Sequence, residues 1–419
     1  MLSVLDAEAK ILDLATLPQA SEQIERLDLH LAQGRVLAET VVSPLDVPHW
    51  DNSAMDGYAV RYADVQAATA GPSATLTVIE TIPAGQSPTQ AVGPGQAARI
   101  FTGSMMPMGA DTVVMQEMTE RQAAQVRILE TPEPGQFVRR QGSFYQAGHP
   151  LLFPGISLNG PEIAVLASAQ YAQVRVYRQP RVAILSTGNE LVQPGTPLQP
   201  GQLVDSNQYA LAALVHRAGG IPMPLGIIPD QPQVLRDAIA TALSQADLIL
   251  SSGGVSVGDY DYVDQILADL GATLHIRAVA VKPGKPLTVA TFPSGTAGAT
   301  SLYFGLPGNP VSALVCFWRF VEPALRKQSG LGQGWAPGFV PATTSQPLRA
   351  GGRRETYVWG HLRMTPQGYS FEQAGGSHSS GNLVNLAGTN GLAVVPVGTT
   401  LIPAHEPVQV MMVGDLRSA

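Results

Sequence analysis

At 419 residues the chain is too long for one ordinary core, and two to four domains are expected. A formal net charge of −7 excludes a basic stripe for nucleic-acid phosphates, so any anion must be met by a few placed cations. Cys316 is the only cysteine, which excludes an internal disulfide framework and a cysteine-built metal site.

The first residues, MLSVLDAEAKILDLA, carry no basic stretch leading into an apolar core, so no signal peptide is expected. Apolar runs of about 18 residues are absent too, and the protein reads as soluble and cytoplasmic, without a membrane span. Ser3 and Asp6 have the spacing of a capping box, and Leu5, Ile11, Leu12 and Leu14 form the apolar side of a first helix. Between residues 46 and 145 the pattern becomes short β-rich pieces, TLTVIETI, TVVMQEM and QVRILE, cut by glycine and proline. Pro161 starts a helix, PEIAVLASA, followed by the strand AQVRVY.

From residue 179 strands and helices alternate: RVAILS, NQYALAALVHRA, PLGIIPD, PQVLRDAIATALSQ and DLILSSGG. That alternation predicts βαβ units and a parallel sheet. The run SLYFGLPGNPVSALVCFWRF predicts one more strand and a long helix, with Cys316 as a buried thiol inside it. From about residue 335, TYVWGHLRM, GLAVVPV and PVQVMMV read as a small barrel. The predicted division is 1–45 with 146–178 (N-terminal, discontinuous), 46–145 (β-rich insert), 179–330 (α/β) and 335–419 (barrel).

Ligands of open parallel sheets bind beyond the carboxyl ends of the strands. Five polar loops fall there: STGNE at 186–190, PD at 229–230, SSGGVSVGDYD at 251–261, KPGKP at 282–286 and GLPGNPVS at 305–312. The chain has four lysines, and Lys282 and Lys285 sit three residues apart on a bend that its prolines keep from being helical. Asn309 is a good N-cap and Pro310 a good first helical residue; this either only caps a helix or leaves the Val311 and Ser312 amides free for an anion. In the 251–261 loop, Gly253 and Gly254 allow close backbone approach, and Ser256 and Pro307 belong to the same substrate-facing loops. Glu190, Asp230, Asp259 and Asp261 offer carboxylates that suit Mg²⁺ shared with phosphate, although Asp259 also reads as a helix-capping acid. The eight histidines lack metal-ligand spacing, and neither GxxxxGK[ST] nor GxGxxG occurs. The cluster Asp51, Asn52, Ser53, Asp56 before GYAVR is either a set of turn formers or a polar site wall. Arg353, Arg354 and GGSHSSGN at 375–382 are a further anion clamp or a solvated hairpin.

Six motifs, DNSAMDGYAVR, TGSMMPMGADTVVMQE, STGNEL, SSGGVSVGDYDYV, KPGKP and GLPGNPVSA, occur in an order that resembles the molybdopterin molybdenumtransferase family, which includes the MoeA proteins and the gephyrin E domain. The resemblance runs over essentially the whole chain. It implies a MoaB/MogA-like three-layer α/β domain with a parallel-rich sheet, a β-rich N-terminal region with an inserted domain, and a C-terminal β-barrel. It also implies a homodimer with composite sites, and a reaction in which adenylylated molybdopterin and molybdate give molybdenum cofactor and AMP with Mg²⁺. A molybdopterin adenylyltransferase is the implied supplier of that substrate. The family's oxyanion positions match Lys282, Lys285 and Ser312, with Asn309 beside them and Arg354 and Ser380 from the C-terminal part. Asp56, Thr102, Glu190, Asp230 and Asp261 match its other active-site positions, with Glu190 and Asp261 as the implied Mg²⁺ ligands. One departure is visible: RRQGSFYQAG places Ser143 and Phe144 where the family commonly carries an acidic pair. Two other readings are an adenylyltransferase, whose usual GGTG and Arg-Asp pair are replaced here by GGVSVGDYD, and a non-enzymatic scaffold, against which the intact acidic and lysine loops count.

Overall fold

The structure, a computed structural model, describes residues 1–18, 23–66, 74–253, 260–293 and 300–418, without the side chains of 260–262, 417 and 418. The chain forms two compact units. One comprises Met1–Glu39, Pro154–Gly160 and Gln173–Ala419, the other Thr40–Phe153 and Pro161–Ala172.

In the first unit, helix α1 (Val4–Leu14) starts at Ser3, whose Oγ accepts from the Asp6 amide at 3.1 Å and donates to the Asp6 carboxylate at 2.6 Å. Its buried stripe is Val4, Ala7 and Ile11, an i, i+3, i+7 set, whereas Leu5 lies off that stripe and is 69% exposed. The expected apolar side is corrected at that position. Strands β1 (Ile24–Asp28) and β2 (Gln173–Tyr177) pair antiparallel.

The α/β part follows in order: β3 (Arg181–Thr187), α2 (Asn207–Arg217), β4 (Ile221–Ile228), α3 (Pro232–Gln245), β5 (Leu248–Ser252), α4 (Tyr260–Asp269), β6 (Thr273–Ala278), β7 (Pro286–Pro293), β8 (Thr300–Leu306) and α5 (Pro310–Cys316). The sheet order is β4-β3-β5-β8-β7-β6. Only β7 runs against its neighbours, so the sheet is parallel-rich, as expected. Along β3, Val182 and Ile184 enter one core while Ala183 and Leu185 enter the other, because successive side chains face opposite ways. With both faces buried, the strands read as near-continuous apolar runs. Helix α2 and the α5 region cover the first face; α3 and α4 cover the second.

The expected long helix after β8 is instead three pieces. Between α5 and Glu322–Gln328, residues Phe317–Val321 form a π turn. That wider turn carries Arg319 into the core, 2% exposed, where it pairs with Glu8 at 2.6 Å and donates to the Tyr357 hydroxyl at 2.9 Å. Burial pushes that hydroxyl well above the usual tyrosine range.

The C-terminal part is a closed five-stranded barrel in the order 355–365, 368–373, 339–344, 407–412, 391–395, closed by pairing of the last strand with the first. Val358, Leu362 and Phe371 fill it, while Tyr357 and Trp359, one residue out of phase, pack with the α/β core. Val281 and Lys282 add a short parallel bridge onto Glu355 and Thr356.

The second unit centres on a six-stranded sheet in the order 112–115, 57–60, 96–100, 75–82, 125–128, 119–122. Tyr58, Val60, Leu76, Ala97, Val114 and Val126 form its main core.

Candidate active site

The sheet register brings the described parts of the five polar loops to one edge. Strands β3, β4, β5 and β8 are parallel, and β6, antiparallel to the reversed β7, points the same way. The 188–190 loop and Asp230 are joined by reciprocal bonds: the Asn189 amide donates to Asp230 Oδ2 at 3.3 Å, and the Asp230 amide to Asn189 Oδ1 at 3.1 Å. Glu190 and Asp230 are both exposed on that edge. Gly253, with φ +96°, closes on β3, where a Cβ would stand 2.3 Å from the Thr187 carbonyl oxygen. Gly254, Ser256 and Asp259, and the side chain of Asp261, lie outside the described residues.

Asn207 was not singled out by sequence reasoning. It is nearly buried and donates from Nδ2 to Ser252 Oγ at 2.6 Å and to the Gly308 carbonyl at 2.9 Å, tying the β5 and β8 loops together. Its only sequence signal is an asparagine at a helix start, which capping explains equally well.

All six residues expected at the anion site line one cavity of about 340 Å³: Lys282, Lys285, Asn309, Ser312, Arg354 and Ser380. Arg349, Tyr357, Trp359 and His378 complete the barrel side. Its described lining has four cations and no carboxylate, in a chain whose net charge is −7. Among the described residues none of these four cations is in an ion pair. Such a cavity attracts oxyanions and concentrates field between low-dielectric walls.

Two details differ from expectation. The Val311 amide is not free, because it donates to the Ser380 carbonyl at 3.0 Å. Asn309 occupies the N-cap position but its side chain makes no capping bond; it faces the cavity lining instead. Buried backbone donors are nearly always taken, and here the barrel loop reaches the helix start first. Pro310 is the first residue of α5 and Pro307 is buried behind the loop.

Gly284 explains how the lysine bend is held. Its φ is +112°, and a Cβ there would stand 2.5 Å from Cys316 Sγ. Cys316 is fully buried and donates to the Gly284 carbonyl at 3.5 Å, and burial pushes its thiol up to about 12, so it is an inert packing group as expected. Gly284→Ala is expected to cost about 2–4 kcal/mol by left-handed strain plus overpacking. Thermal denaturation checks this, and Cys316→Ala in the same chain should recover part of the loss.

In the second unit, Asp56 immediately precedes strand 57–60 and Thr102 follows strand 96–100; the antiparallel pair sets Gly57 opposite Ile100. Asp56 Oδ1 therefore accepts from the Thr102 amide at 2.8 Å and its hydroxyl at 2.7 Å. Those two bonds hold the exposed Asp56 carboxyl below the usual range. Asp51 accepts from Arg140 at 2.6 Å and from the Gln141 amide at 2.8 Å, so part of the DNS cluster anchors the RRQG turn. Ser143 and Phe144 beyond it are exposed.

Residues 2–169 match the MoeA N-terminal region (domain I and II), residues 183–327 a probable molybdopterin binding domain, and residues 341–413 the MoeA C-terminal region (domain IV). The molybdopterin molybdenumtransferase of Nostoc sp. is 56% identical over 411 residues, covering 98% of this chain and 94% of that one. The protein of that name from Haemophilus influenzae is 38% identical, covering 91% of each chain. The crystal structure of the molybdopterin biosynthesis MoeA protein from Pyrococcus horikoshii OT3 superposes with a TM-score of 0.80 at 27% identity, covering 99% of this chain and 100% of that one. Fold and cavity together define a multidomain α/β protein with a cation-lined cavity walled by a β-barrel. The chain belongs to the molybdopterin molybdenumtransferase family.

Proposed function

We propose that this enzyme of molybdenum cofactor biosynthesis inserts molybdate into adenylylated molybdopterin with release of AMP. The observation that carries the reading is the cavity with four cations and, among the described residues, no carboxylate, since molybdate and the substrate's phosphates are all anions. Adenylyl transfer is not favoured, because the chain carries the N- and C-terminal regions of MoeA around its α/β part. No helix among the described residues is long and apolar enough to cross a membrane, and the reading places the enzyme in the cytoplasm. In this reading the four-part division 1–45 with 146–178, 46–145, 179–330 and 335–419 holds, and a molybdopterin adenylyltransferase supplies the substrate.

Mg²⁺ is held by oxygen ligands and commonly by one or two carboxylates plus substrate phosphate. Glu190 and Asp230, carried on hydrogen-bonded loops at the same edge, fit that donor set, and α4, which bears Asp261, starts there. Among the described residues no three His, Cys, Asp or Glu side chains form a ready metal cage, so the other positions would fall to phosphate and water. When bound, the ion would neutralise phosphate charge; the lysines and arginines of the cavity hold and orient the anions.

The test mixes protein, adenylylated molybdopterin, Mg²⁺ and molybdate, and measures AMP and cofactor together. AMP release without molybdenum insertion, or neither, refutes the reading. The same proposal makes the enzyme a homodimer in which Asp56 and Thr102 serve the site of the other subunit. Mixed Asp56→Ala and Glu190→Ala subunits should then regain part of the activity that each lacks alone. Proven subunit exchange without regained activity counts against composite sites.

A further inference from the structure

We propose that Asn207 is a positioning residue of the cationic cavity, acting through Gly308 to fix the loop that presents Asn309 and Ser312. This role rests on the oxyanion reading of the cavity. Asn207 does not line the cavity itself. Its Nδ2 donates to the Gly308 carbonyl at 2.9 Å and to Ser252 Oγ at 2.6 Å. A carbonyl only accepts, so the NH₂ end of the amide is the end that faces Gly308.

The run LPGNP, residues 306–310, explains why that carbonyl needs holding. Pro307 and Pro310 have a fixed φ. Leu306 and Asn309 each precede a proline, which keeps them extended, and Asn309 has φ −63° and ψ 123°. Gly308 is left as the one soft joint of the five. On its upstream side the Leu306 carbonyl accepts from the Gly253 amide at 3.3 Å, and downstream the Val311 amide donates to the Ser380 carbonyl. The setting of the joint between these two anchors decides where Asn309 and, three residues on, Ser312 stand, and both line the cavity.

The residue that holds the joint is itself well held. Asn207 is 8% exposed at the start of α2, and the neighbouring Gln208 is equally buried. Gln208 Nε2 donates to Asp205 Oδ2 at 3.0 Å, and Gln208 Oε1 accepts from the Gly226 amide of β4 at 3.0 Å. The Asp205 amide donates to the Val192 carbonyl at 2.9 Å, and the Leu203 amide to the Glu190 carbonyl at 2.8 Å. The start of α2 is therefore pinned to β4 and to the segment bearing Glu190, and Asn207 extends that rigidity to the cavity wall.

Molybdate binding is measured by equilibrium dialysis without pterin for wild type, Asn207→Ala, Gly308→Ala, the double variant and Lys282→Ala. Without its anchor the glycine joint must be ordered when the anion binds, so affinity about five- to thirtyfold weaker is expected in Asn207→Ala. Gly308→Ala stiffens the joint from within. Gly308 is not left-handed, and among the described residues an added Cβ would meet only the Gly253 Cα, at 3.6 Å, an ordinary contact. The loss caused by Asn207→Ala should therefore be about two- to fivefold smaller in the Gly308→Ala background, a rescue that general loosening of the fold does not produce. Thermal denaturation checks folding, and if Asn207→Ala fails to fold, Asn207→Leu, similar in size and without a donor, takes its place. Wild-type affinity in the Asn207 variant, with binding lost in Lys282→Ala, overturns the role of Asn207 and leaves the cavity reading standing. An equal loss in both backgrounds overturns the action through Gly308. Failure of the wild-type protein to bind molybdate at all overturns both the role and the reading.

Discussion

Alanine at Lys282 or at Lys285 weakens molybdate binding roughly 10- to 150-fold, with the melting temperature close to that of the wild-type protein. A hydrogen bond to a charged group contributes about 1.5–3 kcal/mol, which converts to that range. Both side chains are exposed in the cavity mouth and neither is in an ion pair among the described residues, so their removal breaks no folded contact of that kind. The backbone around them is held independently: the Val279 amide donates to the Lys285 carbonyl, and Val281 and Lys282 bridge to the barrel strand. Each lysine precedes a proline, which narrows its backbone freedom and lowers the ordering cost of presenting the ammonium group. Arginine at either position should also fail, since a planar fork does not replace a compact charge in a cavity of about 340 Å³ already carrying Arg349 and Arg354. Molybdate dependence of AMP release, measured beside dialysis, checks this. Unchanged dependence in both alanine variants reduces KPGKP to a rigid turn.

Glutamine at Glu190 lowers AMP release on the order of 100-fold or more. The substitution removes one of two carboxylates on the hydrogen-bonded 189–230 loops and keeps the side chain's size. The loop is held through Asn189, Asp230 and the backbone, with the Leu203 amide donating to the Glu190 carbonyl at 2.8 Å, so the fold is retained. Charge stabilisation at a phosphate-bound metal contributes several kcal/mol, and about 1.36 kcal/mol is tenfold in rate. Asp261→Asn is expected to act in the same direction. AMP release across an Mg²⁺ titration separates the cases: wild-type rates at limiting Mg²⁺ in Glu190→Gln would sink the assignment. An unchanged thermal transition is the control for folding.

The sequence alone was sufficient for the α/β alternation from residue 179, the barrel at the C-terminus, and the polar loops. These rest on local physics: period-two and period-3.6 apolar patterns, proline and glycine at turns, and the rule that ligands meet parallel strands at their carboxyl ends. It was also sufficient to single out KPGKP, because two of four lysines on one proline bend are legible without any contact map. What it could not decide were pairings across distance. Asp56 and Thr102 are 46 positions apart and meet only through the register of two antiparallel strands. The cavity draws on residues from 282 to 380, and whether 375–382 formed a clamp or a solvated hairpin depended on the Val311 amide finding the Ser380 carbonyl. The same contact overturned the expectation of a free amide, since a helix start advertises a donor without saying what will reach it. Asn207 was illegible for the same physical reason: a helix start places the side chain, but its partners Ser252 and Gly308 come from other elements. An alternating strand tells which side a residue faces, but the partner on that side is supplied by another element, and only the folded chain brings it there.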